Sequence, residues 1–88
     1  MKKKYIRNKD LVWEKVDNDL VLLDYEAGKI HYLNETARLI WDFLNKKRNS
    51  KEIYDYVISC YKGGDGKMEI KRDVRRMLVK MKKLKLLI

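Results

Sequence analysis

The stretch Lys29-Ile30-His31-Tyr32-Leu33-Asn34-Glu35-Thr36-Ala37-Arg38-Leu39-Ile40-Trp41 decides the fold, because strand character gives way to helix character inside it. Lys29 to Leu33 alternates well enough for a strand. Asn34 is a good helix N-cap, since its side-chain oxygen can accept from a free amide of the first turn, where Glu35 and Thr36 stand. Ala37, Ile40, Trp41 and Leu44 then recur at helical spacing. The chain before Asn34 reads as strands, and the chain after it reads as helices.

Toward the N-terminus, residues 11–16 (Leu-Val-Trp-Glu-Lys-Val) are rich in strand formers, and Asp17-Asn18-Asp19 supplies a turn. Residues 20–25 form a second apolar run, closed by a Glu26-Ala27-Gly28 turn in which Gly28 suits a positive φ. Two tight connections between three adjacent runs imply an antiparallel meander. Toward the C-terminus, Asn45 to Asn49 is a polar break, and Ser50 is expected to cap a second helix without the Glu of a capping box. Ile53, Tyr54, Val57, Ile58 and Tyr61 make its apolar face, and Lys62 to Gly66 is a loop. A third helix begins near Met68–Ile70 and runs to about Lys85, with Ile70, Val74, Met77, Leu78 and Met81 as its buried stripe. The expected fold class is α+β and winged-helix-like: a three-stranded antiparallel sheet followed by three helices packed on it. Residues 1–10 are set apart as a basic, partly disordered segment, and residues 11–88 form one domain.

The chain has 88 residues and a formal net charge of +9, from 22 Lys and Arg against 13 Asp and Glu. Such a surplus points to anionic partners: nucleic acid, an acidic membrane surface or an acidic peptide. One cysteine, Cys60, excludes an internal disulfide and any Cys-x-x-Cys pair. The lysine-rich start leads into Arg7, Asn8, Lys9 and Asp10 and not into the apolar run of a signal peptide. No stretch approaches the length of a membrane span. The expected setting is a reducing bacterial cytoplasm.

Catalysis is not indicated. His31 and Cys60 fall on different predicted elements and have no third partner, so they read as a surface strand residue and a small apolar residue of the second helix. The acidic residues are scattered among lysines. Gly63-Gly64-Asp65-Gly66 lacks the ending and the preceding strand of a phosphate loop. No metal or cofactor is expected, and the chain reads as a binding module, not an enzyme.

Two features remain for binding. From Lys67 to Lys85 the third helix carries nine basic residues: Lys67, Lys71, Arg72, Arg75, Arg76, Lys80, Lys82, Lys83 and Lys85. The third strand ends the meander, where free N–H and C=O groups can accept an added strand. Four or five added backbone bonds, each worth roughly 0.5–1.5 kcal/mol net, fall short of the ~8 kcal/mol of micromolar binding. Association also costs entropy, so side-chain anchors are needed beside the edge.

The ordered set Val21-Leu22-Leu23-Asp24, Gly28, Tyr32-Leu33-Asn34-Glu35-Thr36-Ala37 and Ile40-Trp41 resembles the PqqD family pattern. Ile53, Asp73-Val74, Met77-Leu78 and the closing Leu86-Leu87-Ile88 extend the resemblance over about residues 11–88. It implies a RiPP recognition element, a winged-helix domain that binds the leader of a ribosomally made precursor peptide. That leader adds to the third strand beside the third helix and is presented to a maturation enzyme, such as a radical SAM protein or a leader peptidase. On this chain the implied strand positions are Lys29, Ile30, His31, Tyr32 and Leu33. Asp73, Met77 and Lys80, with Arg76 farther out, are the chosen groove flank of the third helix, and Lys71, Arg75 and Lys82 are the alternative flank. Two residues depart from the pattern: Ala37 and Lys85 stand where the family usually has Gly.

The rival reading is a winged-helix nucleic-acid binder using the third helix. Against it, the hairpin precedes the helices, so no wing comes after the third one. A membrane partner is not expected. A free edge leaves either a monomer or a strand-exchanged dimer open.

Overall fold

Strand runs that cannot bury both faces need a cover, and here the cover is helical. The computed structural model describes residues 3–61 and 66–88, and within them the α+β architecture expected from the sequence is present. A meander of β2 (Val12–Val16), β3 (Asp19–Asp24) and β4 (Lys29–Leu33) has the order β2-β3-β4 and is antiparallel throughout. Helices α1 (Glu35–Phe43), α2 (Ser50–Cys60) and α3 (Lys67–Lys83) come after it. Two short strands, β1 (Lys4–Tyr5) and β5 (Arg48–Asn49), form a separate antiparallel pair.

The turns match their residues. Asp17 takes φ 56° in the two-residue link from β2 to β3, a backbone region that Asp and Asn tolerate best among residues with a side chain. Gly28 takes φ 63° before β4, and the Asp24 carboxylate accepts the Ala27 N–H at 3.1 Å to shape that turn.

Register divides the sheet into two faces. Leu20 and Leu22 are fully buried, and residues directly opposite share a face, so Lys15, Trp13, Leu33 and His31 lie on the helix side. Val12, Glu14, Val21, Leu23, Ile30 and Tyr32 make the other face, which no described helix covers. The core on the helix side contains Ala37, Ile40, Trp41 and Leu44, then Ile53 and Val57, then Val74, Leu78 and Met81. Burying each of the larger aliphatic side chains stabilises the fold by about 1.5–3 kcal/mol. Asp42 ties the hairpin to α1, pairing with Lys15 at 3.1 Å and Arg38 at 3.3 Å, while Arg38 Nε donates to the Asn18 carbonyl at 3.0 Å.

Helix boundaries differ from the sequence reading at α2 and α3. Asn49, not Ser50, is the N-cap of α2, and it forms a full capping box: its side chain accepts from the Glu52 N–H at 2.9 Å, and Glu52 accepts from the Asn49 N–H at 3.0 Å. The β1–β5 pairing draws Asn49 into extended geometry, which frees its side chain to cap. Helix α3 starts at Lys67 behind Gly66, whose φ of 84° turns the chain into it. The expected loop at Lys62–Gly66 lies outside the described residues except for Gly66. On α2, Cys60 is exposed, not packed as a small apolar residue. Tyr56 takes a packing role instead, stacking on Phe43 with centroids 4.2 Å apart.

Residues 6–8 pack against the segment that follows α3 and against the core. Ile6 and Ile88 exchange backbone bonds, the Asn8 N–H reaches the Leu86 carbonyl at 2.9 Å, and Arg7 lies over both Trp13 and Trp41. Helix α3 closes with a Schellman motif: Leu86 N–H donates to the Met81 carbonyl at 2.9 Å and Lys85 N–H to the Lys82 carbonyl at 3.1 Å. Lys85 pays for it with φ 62°, the left-handed region that suits glycine, which explains the residue that the family pattern usually has there.

Candidate functional site: the β4 edge and its groove

A strand at the end of a sheet has one unpaired side. In β4 that side is open, since β3 is its only strand partner among the described residues. Alternate residues of an antiparallel edge strand direct both N–H and C=O outward, so Lys29, Ile30, His31, Tyr32 and Leu33 provide two or three such sites. Leu33 is buried and His31 half-buried on the helix side. Ile30 and Tyr32 are 57% and 76% exposed on the opposite face.

Just past the end of β4, α1 and α3 form a hollow of about 330 Å³ lined by Asn34, Thr36, Asp73, Arg76, Met77 and Lys80. Asp73, Arg76, Met77 and Lys80 therefore share one flank of α3, brought together by the spacing of three and four residues. Asn34 and Thr36 complete the hollow, although the sequence reading assigned them only to helix initiation. Asn34 Oδ1 accepts from the Ala37 N–H at 3.0 Å, and the Thr36 hydroxyl is 2.9 Å from the Tyr61 hydroxyl. Both residues are held in place, so the mouth of the groove is preorganised. A signal for them was present: Asn34 follows β4 directly and Thr36 comes two residues later, at the end of the edge strand.

None of the five strand positions, Lys29 to Leu33, lines this hollow, and strand alternation turns Ile30 and Tyr32 to the uncovered sheet face. The alternative flank goes elsewhere. Lys71 and Arg75 line a different hollow with Tyr54, Met68 and Arg72, and Lys82 is exposed outside both.

Charge is concentrated on α3. Arg72, Arg75, Arg76, Lys80 and Lys83 surround Val79, which is 63% exposed. Arg76 and Lys80 belong to both this cationic face and the groove, and neither has an ion-pair partner among the described residues. The like-charged pairs Arg72/Arg76 and Arg76/Lys80, four residues apart, each weaken the helix by about 0.2–0.5 kcal/mol. An anionic partner would relieve that repulsion. The clear pKa shift lies away from the groove: burial, then the neighbouring Cys60, pushes the Tyr56 phenol up. No cluster of three metal-ligating side chains gathers among the described residues, and none of their helices is long and apolar enough to cross a membrane.

The family model described as coenzyme PQQ synthesis protein D (PqqD) matches residues 19–87, from β3 to the closing Leu87. Among solved structures, the chain is similar to one described as TbiB1 in complex with the TbiA(beta) leader peptide. The TM-score is 0.76 at 24% identity, over 93% of each chain. It is also similar to a lasso peptide synthetase B1 complexed with the leader peptide, with a TM-score of 0.74 at 21% identity over 96% of each chain. These likenesses show a shared fold. No curated protein matches significantly.

Proposed function

The chain belongs to the PqqD family, and from that premise we propose that it binds the leader of a ribosomally synthesised precursor peptide and presents it to a modifying enzyme. Members of this family are non-catalytic peptide-binding proteins, and this chain is not an enzyme. The observation that carries the proposal is the open β4 edge, with the groove of Asn34, Thr36, Asp73, Arg76, Met77 and Lys80 at its end. The leader adds as a strand to Lys29–Leu33. Its side chains on the helix side enter the groove, and those on the other side extend the face of Ile30 and Tyr32. Backbone pairing sets the register, and Met77 with the groove walls provides the apolar contact that backbone bonds alone lack. Arg76 and Lys80 attract an acidic leader and speed its encounter. Leader binding by the two structurally similar proteins supports this reading. The enzyme that receives the complex is a radical SAM protein or a leader peptidase, and the setting is the cytoplasm.

Calorimetric titration with the leader peptides encoded near the gene tests the proposal, and a saturable one-to-one isotherm is expected. Absence of binding by every such leader would reject it. The cationic face of α3 gives the nucleic-acid reading its one supporting observation. That reading requires affinity to fall with a log–log salt slope of about −0.9 per phosphate neutralised, whereas the groove retains part of its affinity at high salt through apolar contact.

A further inference from the structure

Helix α3 runs antiparallel to β4. Its Asp73 and Arg76 share a hollow with Asn34 and Thr36, just past the end of β4, and Lys85 beyond its last turn shares another with Asp24, Tyr25 and Glu26, just before β4 begins. Residues four apart on a helix rise by about 6 Å. Side chains two apart on one face of a strand are separated by about 6.4–6.8 Å. The two repeats nearly coincide, so consecutive groove-facing side chains of an added strand fall opposite Arg76 and Lys80 in turn. We infer that the bound segment carries two carboxylate side chains two residues apart, acid-x-acid, read by Arg76 and Lys80. This deepens the leader-binding reading and rests on it.

The neighbouring charges sharpen the motif. Asp73 precedes Arg76 by one turn on the same flank and repels a third carboxylate at the next groove-facing position. A strand added antiparallel to β4 runs with α3, so that disfavoured position lies two residues N-terminal to the acidic pair. The intervening residue x points to the opposite sheet face, toward Ile30 and Tyr32, where an apolar side chain has a partner. Acids at adjacent positions place one carboxylate on that apolar face, away from both cations. Acids three apart do the same. Spacing, and not charge alone, therefore sets the affinity.

The test uses the full chain and three fluorescent twelve-residue peptides of identical Thr, Val and Glu composition, which differ only in whether their two glutamates are adjacent, two apart or three apart. Equal composition holds long-range attraction constant. The two-apart isomer is expected to bind about tenfold tighter than the others, as suits two charge-assisted contacts at a partly exposed site. Replacing both cations, Arg76→Gln with Lys80→Gln, should bring the three isomers to one level. In Arg76→Glu with Lys80→Glu, a two-apart lysine isomer should become the tightest binder. The gene-neighbour leader is titrated alongside. Its failure to bind would overturn the leader-binding reading and this inference with it. If the leader binds but the two-apart isomer fails to bind or to outrank the others, the spacing inference is overturned and the leader-binding reading stands.

Discussion

Replacing Lys85 by glycine should stabilise the domain. Lys85 occupies the left-handed position of the Schellman motif that ends α3, at φ 62°. Holding a residue with a Cβ there costs about 1–2 kcal/mol. Glycine removes that strain but returns about 0.4–1 kcal/mol through the greater freedom of its unfolded chain. The motif's own bonds and the Asn8 amide bond to the Lys85 carbonyl at 3.2 Å are backbone features of Lys85 and survive the change. The Lys85 side chain shares a hollow with Asp10, Asp24 and Glu26 but forms no ion pair among the described residues, so its loss subtracts little. The net gain is about 0.5–1 kcal/mol, which for a domain of this size raises Tm by about 3–6 °C. Urea and thermal unfolding followed by circular dichroism measure it, with Lys85→Ala as the control that removes the charge and keeps the strain. Glycine no more stable than the parent would refute the reasoning. So would an alanine gain equal to glycine's, since charge and not backbone would then be the cause.

Asn49→Ala removes one half of the α2 capping box and should cost about 1–2 kcal/mol in a urea titration. Ser50→Ala, at the residue that sequence reading alone selects as the cap, should cost under about 0.5 kcal/mol. Thr36→Arg should fill the mouth of the groove and weaken leader binding at least about tenfold by calorimetry, a loss of about 1.4 kcal/mol or more. The same change gives up the Tyr61 hydrogen bond, about 1 kcal/mol of stability, and the far-ultraviolet spectrum should stay native. The Tyr56 phenol is raised in the folded state by burial and by Cys60, so its neutral form is favoured there. Its contribution to stability is complete below the ordinary tyrosine range and is lost as pH rises through the raised value, which alkaline unfolding with phenolate absorbance would record.

The three-strand, three-helix order was legible because each element carries its own period, and because Asn34 marks the change from one to the other. The core face of α1 was legible for the same reason: Ala37, Ile40, Trp41 and Leu44 are all buried. The α2 cap was not, because Asn49 acquires its extended conformation from pairing with Lys4, a contact across the chain that no local pattern reveals. The face of Ile30 and Tyr32 was obscured in a similar way. Both look like core residues by type, and only the register with Val21 and Leu23 turns them outward. The grouping of Asp73, Arg76, Met77 and Lys80 comes from helical spacing. That Asn34 and Thr36 close the same hollow depends on the angle at which α1 leaves β4, which is set by packing across the core.

Amide hydrogen exchange on the leader-bound domain tests strand addition most directly. Slowed exchange is expected at alternate residues of Lys29–Leu33, with the amides on the outer side of β2 unchanged. A saturated complex in which the β4 amides exchange as fast as in the free domain, or in which β2 gains the protection, would contradict the account.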